Sequence, residues 1–232
     1  DYPKTSMFML KKYAIIVAGG TGSRMNSKIP KQFMLLNNRP VLMHTMERFS
    51  GLYPGIELIV VLNKNFMDEW SALCANHHFT LSHRLVPGGR TRFDSVKNGL
   101  AVIEEENGII AIHDAVRPFV SYETIHRCYS SAEEKGNGIP CINTSESLRF
   151  VEDSSNHHID RSKIKIIQTP QVFQLAILKK AYEQSGPAEF TDDASVVEKA
   201  GHFIHLVEGN PENIKITNHL DLLIARCLSE HL

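Results

Sequence analysis

Neither sign of charge is in excess: 25 Lys and Arg stand against 26 Asp and Glu, for a formal net charge of −1 and a pI near 6.9. A nearly neutral chain lacks the broad basic field by which proteins hold nucleic acid, so no nucleic-acid partner is expected. Cysteine is scarce and scattered: Cys74, Cys128, Cys141 and Cys227, with no C-x-x-C pair. That spacing argues against a disulfide framework and favours a reducing, cytoplasmic setting. Histidine is better supplied, but there is no H-E-x-x-H, and His77-His78 and His157-His158 sit in polar text. A structural zinc site is therefore not expected. No apolar run reaches the length of a membrane span, and no signal peptide is visible. Residues 1–6 (DYPKTS) precede Met7 and read as an expression remnant, leaving 7–232 as one domain with ample length for a sizeable core.

What is present is alternation. Tyr13–Ala18 is continuously apolar, as a strand covered on both faces is. Val41–Phe49 reads as a helix opened by Pro40. Glu57–Leu62 reads as a second buried strand, and Phe66–Ala75 as a second helix. Ser95–Glu106 carries Val96, Leu100 and Ile103 on one helical face; Gly108 ends it, and Ile109–Ile112 forms a third strand. Further helices are expected over Leu175–Gln184, Asp192–Ala200 and from about His219, with a strand over Phe203–Val207. Strands alternating with helices predict an α/β fold: a doubly wound, mainly parallel, Rossmann-like sheet with right-handed crossovers. The pattern breaks over residues 140–167, where two β-type stretches flank the polar turn Asp153-Ser154-Ser155-Asn156. This reads as a β-hairpin arm protruding from the sheet. A lone hairpin is marginal in water, so a second subunit is the expected cover, making the protein a homodimer.

The first strand runs into Gly19-Gly20-Thr21-Gly22-Ser23-Arg24-Met25. A dinucleotide G-x-G-x-x-G begun at Gly20 would need glycine where Met25 stands, and the Gly-Lys-Ser/Thr of a P-loop is missing. What remains is a loop whose freed backbone N–H groups can wrap an anion while Arg24 supplies charge. Lys28 and Lys31 place further cations behind it. A glycine-rich turn with solvated basic residues is the plainer reading. In "GGRTRFDSVKNGL" (88–100), Gly88-Gly89 turns close to any ligand. Asp94 or Ser95 either caps a helix or faces a flat polar ligand such as a base; the residues alone leave both open. "IIAIHDAVRP" (109–118) puts His113 and Asp114 at the carboxyl end of a buried strand, where open α/β sheets hold ligands. Asp114 there can handle Mg²⁺ on a nucleoside triphosphate, directly or indirectly, or else cap a helix or pair with an arginine. Arg117 can meet a second anion. Thr169, Thr191 (a possible cap for the helix that Asp192 opens) and Lys215 add polar groups at strand ends. Lys215, between Ile214 and Ile216, points away from the core, to solvent or a cleft.

Together these segments resemble the cytidylyltransferases of the non-mevalonate isoprenoid pathway, over about Lys12 to Leu228. "AGGTGSRM", "PKQF", "GGRTRFDSV", "HDAVRP", "DR", "TPQVF", "TDDAS" and "EGNPENIKIT" fall in family order. Each is weak alone, and eight in sequence are specific. The resemblance implies that CTP and 2-C-methyl-D-erythritol 4-phosphate are joined with release of pyrophosphate. It implies that Ala18, Gly19, Gly20 and Gly22, with Arg24 and Lys31, hold the triphosphate. Gly89 and Ser95 would read the cytosine, with Asp114 and Ala115 near ribose, metal (Mg²⁺ or another divalent ion) and reacting phosphates. Arg117, Thr169, Thr191 and Lys215 would meet the sugar phosphate. The family's β-arm gives a threonine and an arginine to the neighbouring active site; Arg161 matches the arginine, and Ser147 stands at the threonine's place. Val17 departs from the proline common before the loop, a change backbone contacts tolerate. Such chemistry needs positioning and cations, here Arg24, Lys31 and Lys215, and no general base.

The nearest rival is a ribitol-5-phosphate cytidylyltransferase, similar through the glycine loop, "PKQF" and "HDAVRP". "RFDSVKNGL", "DR" and "TDDAS" favour the methylerythritol branch. Sugar-1-phosphate nucleotidyltransferases resemble the glycine loop only locally. A non-catalytic nucleotide-binding module would not need Arg24, Lys31, Asp114 and Lys215 together.

Overall fold

The structure is a computed structural model and describes residues 10–19, 29–184 and 190–231. In chain order the strands and helices are β1 (Lys12–Ala18), β2 (Leu35–Leu36), β3 (Arg39–Pro40), α1 (Val41–Leu52), β4 (Glu57–Leu62), α2 (Met67–Asn76), β5 (Arg84–Pro87), α3 (Arg92–Ala101), β6 (Ile109–Asp114) and α4 (Tyr122–Lys135). There follow β7 (Asn137–Asn143), β8 (Leu148–Glu152), β9 (Ser155–Ile159), β10 (Lys165–Ile167), β11 (Gln171–Gln174), α5 (Leu175–Glu183), α6 (Asp193–Lys199), β12 (Leu206–Glu208) and α7 (His219–Ser229). The main sheet runs β10-β7-β11-β6-β1-β4-β5, with β12 also on β7. Its centre, β6-β1-β4-β5, is parallel, and β11 joins β6 antiparallel.

Two-sided burial explains the continuous apolar runs. Successive side chains of a strand point to opposite faces. Ala14, Ile16 and Ala18 of β1 enter one core with Leu58, Val60 and Leu62 of β4, under α1, α2 and α4. Tyr13 and Ile15 enter the other with Ile59, Val61, Ile110 and Ile112, under α3, α5 and α6. A third cluster packs α7, through Leu222 and Ala225, on Leu36, Val41, Phe119 and Ile216. It secures the 214–217 segment beside the strand ends.

Three expected features differ in detail; the strand expected over Phe203–Val207 is confined to Leu206–Glu208, where it pairs with β7. The helix expected over 95–106 ends at Ala101 and begins three residues earlier than expected, because Thr91 caps its start: the Thr91 side chain accepts from Asp94 N, and Asp94 caps back. Residues 140–167 divide in two. Cys141–Asn143 pair with Lys165–Ile167 as part of the main sheet, while β8 and β9 pair with one another around Asp153-Ser154, from Leu148↔Ile159 to Glu152↔Ser155. Most side chains of that two-stranded sheet are exposed, including Phe150 and Val151.

Candidate active site

The parallel register sets the site. Val17 lies beside Asp114 and Ala18 beside Leu62, so the carboxyl ends of β1, β4 and β6 finish together. Gly88 N donates to Leu62 O at 2.8 Å and Ala115 N to Val17 O at 3.1 Å, which brings the turns after β5 and β6 to the same edge. β1 is flanked by β4 on one side and β6 on the other, so the connections leave it in opposite directions and a crevice opens between them. A cleft of about 480 Å³ occupies this position, bounded by Ala18, Gly19, Lys31, Gly89, Asp114 and Lys215 among others.

Each polar group in it is held from behind. Asp114 Oδ2 pairs with Lys215 Nζ at 3.0 Å and Arg117 Nε at 3.2 Å. Burial alone would raise the Asp114 carboxyl, but the charges of Lys215, Arg92 and Arg117 outweigh it and hold the group well below the usual carboxylate range. Arg117 Nη1 also donates to Asn213 O at 2.7 Å, and Ile216 N donates to Val116 O at 2.9 Å. These bonds dock the 213–217 segment on the turn after β6. Lys31 Nζ donates to Thr217 O at 2.6 Å, and Asp221 in the first turn of α7 accepts from both Thr217 N and Thr217 Oγ1. Gln32, buried, donates to Ala18 O at 2.9 Å, and Thr45 Oγ1 to Ala115 O at 2.8 Å. His113 is fully buried, and burial pushes its imidazole down to about 4.

Of the residues singled out in the sequence, Ala18, Gly19, Lys31, Gly89, Ser95, Asp114, Ala115 and Lys215 border one cleft. Asp114 is also an arginine partner, as the plainer reading had it. Ser95 is not the helix cap; its buried Oγ accepts from Gly89 N at 3.1 Å and donates to Thr91 O at 2.9 Å, closing the glycine turn onto α3. Arg117 and Thr169 lie immediately behind the cleft: Thr169 Oγ1 accepts from Asp114 N at 3.1 Å. Thr191 is exposed, and the α6 cap is Asp192, whose side chain accepts from Ser195 N. Ser147 and Arg161 are exposed near the β8–β9 ends, with Arg161 Nη1 donating to Ser145 O at 2.5 Å. Gly20, Gly22 and Arg24 lie outside the described residues. Arg92 and Thr217 border the cleft without having been singled out. Arg92 was legible within "GGRTRFDSV" but indistinguishable there from a solvated charge. Its Nη2 meets Asp193 Oδ2 at 2.5 Å, and Asp193, with no exposed surface, also accepts from Tyr182 Oη at 2.6 Å. Among the described residues no group of three or more His, Cys, Asp or Glu can hold a metal ion.

Residues 12–230 match the family described as IspD, 2-C-methyl-D-erythritol 4-phosphate cytidylyltransferase. The chain belongs to that family. A cytidylyltransferase of this name from Bacteroides thetaiotaomicron is 48% identical over 219 residues, 94% of this chain and 100% of that protein. Another from Porphyromonas gingivalis is 48% identical over 220 residues, 94% of this chain and 97% of the relative. The 4-diphosphocytidyl-2C-methyl-D-erythritol synthase of Anaerococcus prevotii superposes with a TM-score of 0.82 at 25% identity, covering 95% of this chain and 99% of that one. The Francisella tularensis cytidylyltransferase structure is similar, with a TM-score of 0.74 at 31% identity, covering 94% and 99%. The matched family and the names of these relatives support a 2-C-methyl-D-erythritol 4-phosphate cytidylyltransferase, and the ribitol alternative is not favoured.

Proposed function

We propose that this cleft joins CTP to 2-C-methyl-D-erythritol 4-phosphate, giving 4-diphosphocytidyl-2-C-methyl-D-erythritol and pyrophosphate. The observation that carries the reading is the convergence of Lys31, Asp114 and Lys215 on one crevice at the strand ends. An oxygen of the substrate's phosphomonoester attacks the α-phosphorus in line. The bond from that phosphorus to the bridging oxygen breaks, and pyrophosphate leaves with the electron pair. The nucleophile is already anionic near neutral pH, so no base is required; His113, buried and depressed to about 4, is not one. The barrier is the approach of two anions, which Lys31 and Lys215, together with Arg24, offset by charge placed where it develops in the transition state.

Gly19 lets main chain come close to the triphosphate and Gly89 does so for the base, with Ala18 and Ala115 alongside. Arg117 and Thr169 fix the far wall toward the sugar phosphate, and Thr191 is its outer contact. A lone carboxylate is a poor cage for a divalent ion but suits one that arrives on phosphates, because Mg²⁺ is commonly held by one or two carboxylates plus substrate oxygens. Asp114 would hold it, and the ion would neutralise charge on the phosphates.

The exposed β8–β9 arm, with Phe150 44% and Val151 70% exposed, supports a homodimer in which the arm covers its partner. Ser147 and Arg161 then complete the neighbouring cleft. Four free cysteines suit the cytoplasm, and among the described residues no helix is long and apolar enough to cross a membrane. The test is purified protein with CTP, Mg²⁺ and each polyol phosphate in turn, following pyrophosphate release. Turnover with methylerythritol phosphate is expected; preference for ribitol 5-phosphate overturns the reading.

A further inference from the structure

Behind Asp114 the hydrogen bonds form a closed loop. Asp114 N donates to Thr169 Oγ1 at 3.1 Å, Thr169 Oγ1 lies 3.0 Å from His113 Nδ1, and His113 Nε2 lies 3.1 Å from Arg117 O. The last contact orients the rest. A backbone carbonyl only accepts, so Nε2 carries the hydrogen, and in a neutral ring Nδ1 is then a bare lone pair. The single hydroxyl hydrogen of Thr169 turns to Nδ1, while its oxygen receives the Asp114 amide. Donation therefore runs one way, from Asp114 N–H through Thr169 and His113 to the carbonyl of Arg117. It starts and ends on the turn that carries the Asp114 carboxylate and the Arg117 guanidinium. Thr169 is clamped at its other end too, since its carbonyl accepts from Asn213 Nδ2 at 2.8 Å. The His113 ring has no exposed surface and meets Phe49 edge-on, with centroids 5.1 Å apart. It cannot touch a substrate, yet it bonds to one end of the turn beside the cleft directly and to the other through Thr169.

We propose that His113 is a positioning residue which, as the neutral Nε2–H tautomer and through Thr169, fixes the Asp114 carboxylate and the Arg117 guanidinium relative to one another. The inference rests on the cytidylyltransferase reading for its effect on rate, and on the hydrogen bonds alone for the tautomer. It also redefines Thr169, whose hydroxyl hydrogen is committed inward, so that the residue shapes the turn before it meets any ligand.

Two measurements test it on the full chain. With ¹⁵N-labelled histidine, a long-range ¹H–¹⁵N spectrum at pH 7, assigned by loss of signals in His113→Asn, is expected to show Nε2 protonated and Nδ1 bare. The opposite tautomer, or a doubly protonated ring, overturns the proposal. In pyrophosphate release, His113→Phe, Thr169→Val and the double variant form a cycle. Each single change is expected to lower kcat with little change in KM for CTP, and the double variant to stay within about threefold of the worse single one. Losses that multiply would mean two independent contacts and would refute the relay. If His113→Phe does not fold, Thr169→Val keeps its shape and must still shift the His113 nitrogen signals; unshifted signals refute the relay equally. A wild type that releases no pyrophosphate fails the functional reading instead, and leaves the tautomer result standing by itself.

Discussion

Lys215 Nζ sits 3.0 Å from Asp114 Oδ2, and the two residues answer to different solvents: the lysine side chain is 44% exposed and the aspartate 11%. The carboxylate is fixed, while the ammonium can leave it for a stronger anion in the cleft. Lys31 also lines the cleft, tied to Thr217. Lys31→Ala and Lys215→Ala are each expected to lower kcat by about 10²–10³, the cost of losing one preorganised donor. Steady-state pyrophosphate release measures this. Weak CTP binding with full kcat would assign these lysines to binding alone.

Gly89 has no room for a side chain. A Cβ there would sit 2.2 Å from Asp94 Cβ and 2.9 Å from the Asp94 carbonyl carbon, in the first turn of α3. Gly89→Ala should push the glycine turn off the helix, at roughly 1–3 kcal/mol, and weaken CTP binding by about tenfold or more. Calorimetric titration with CTP and no polyol phosphate reads this directly; unchanged affinity would rule out a nucleotide role for this turn.

The Arg92–Asp193 pair is structural as well as near the cleft. Asp193 has no exposed surface and is held by Arg92, Tyr182 and Gln171. Breaking a buried pair leaves a charge without a partner, so Asp193→Ala is expected to cost about 3 kcal/mol or more in urea unfolding. Lys215→Ala, at the solvent edge, should cost under about 1 kcal/mol. Equal losses would contradict the burial argument.

Acid should destabilise the fold before it protonates most carboxylates. His113 binds its proton at about 4 in the folded state and near 6.5 when unfolded, so the unfolded chain gains protons first as pH falls. Above about 6.5 there is no penalty; it grows between 6.5 and 4 and is complete below, at roughly 3 kcal/mol for the shift. Asp114 acts in the same direction lower down: its depressed value contributes stability above about 3.8 that is lost below it. Urea midpoints from pH 7 to 4 should fall, and His113→Asn should flatten the upper part of that slope. A slope unchanged by the substitution would place the titration elsewhere.

The shared-site reading of the arm makes a mixing prediction. Arg161→Ala and Lys215→Ala proteins, each nearly inactive, should recover about a quarter of wild-type activity when unfolded together and refolded, because mixed dimers keep one intact cleft. No recovery would confine each site to one chain.

Three strands of the parallel centre, β1, β4 and β6, were legible because two-sided burial writes a continuous apolar run, and they fall within a residue or two of the expected bounds; β5, short and half exposed, was not. α4 was not. Its buried face sets Ile125 and Tyr129 among Thr124, Cys128, Ser131 and Ala132, small or polar residues that blur helical periodicity. Only its ends were written plainly, in the Ser121 cap and the left-handed Gly136. β7 was hidden by Gly138 and Pro140, residues that argue against a strand. In the site, single residues within recognisable segments were legible. The bonds from behind were not, since Thr169 reaches Asp114, and Asn213 reaches Thr169, only through the tertiary fold.

Ser95 carries a further consequence. Its hydroxyl spends its hydrogen on Thr91 and receives the Gly89 amide, so it braces the turn from inside. If Gly89 and Ser95 face the nucleobase as proposed, the Ser95 hydroxyl is spent within the fold and the turn's shape is what it contributes. Preference among bases would then be encoded in the curvature of the loop. An engineer seeking to make this enzyme accept another nucleotide would gain little by exchanging one side chain, and would have to re-bend residues 88–95 as a unit.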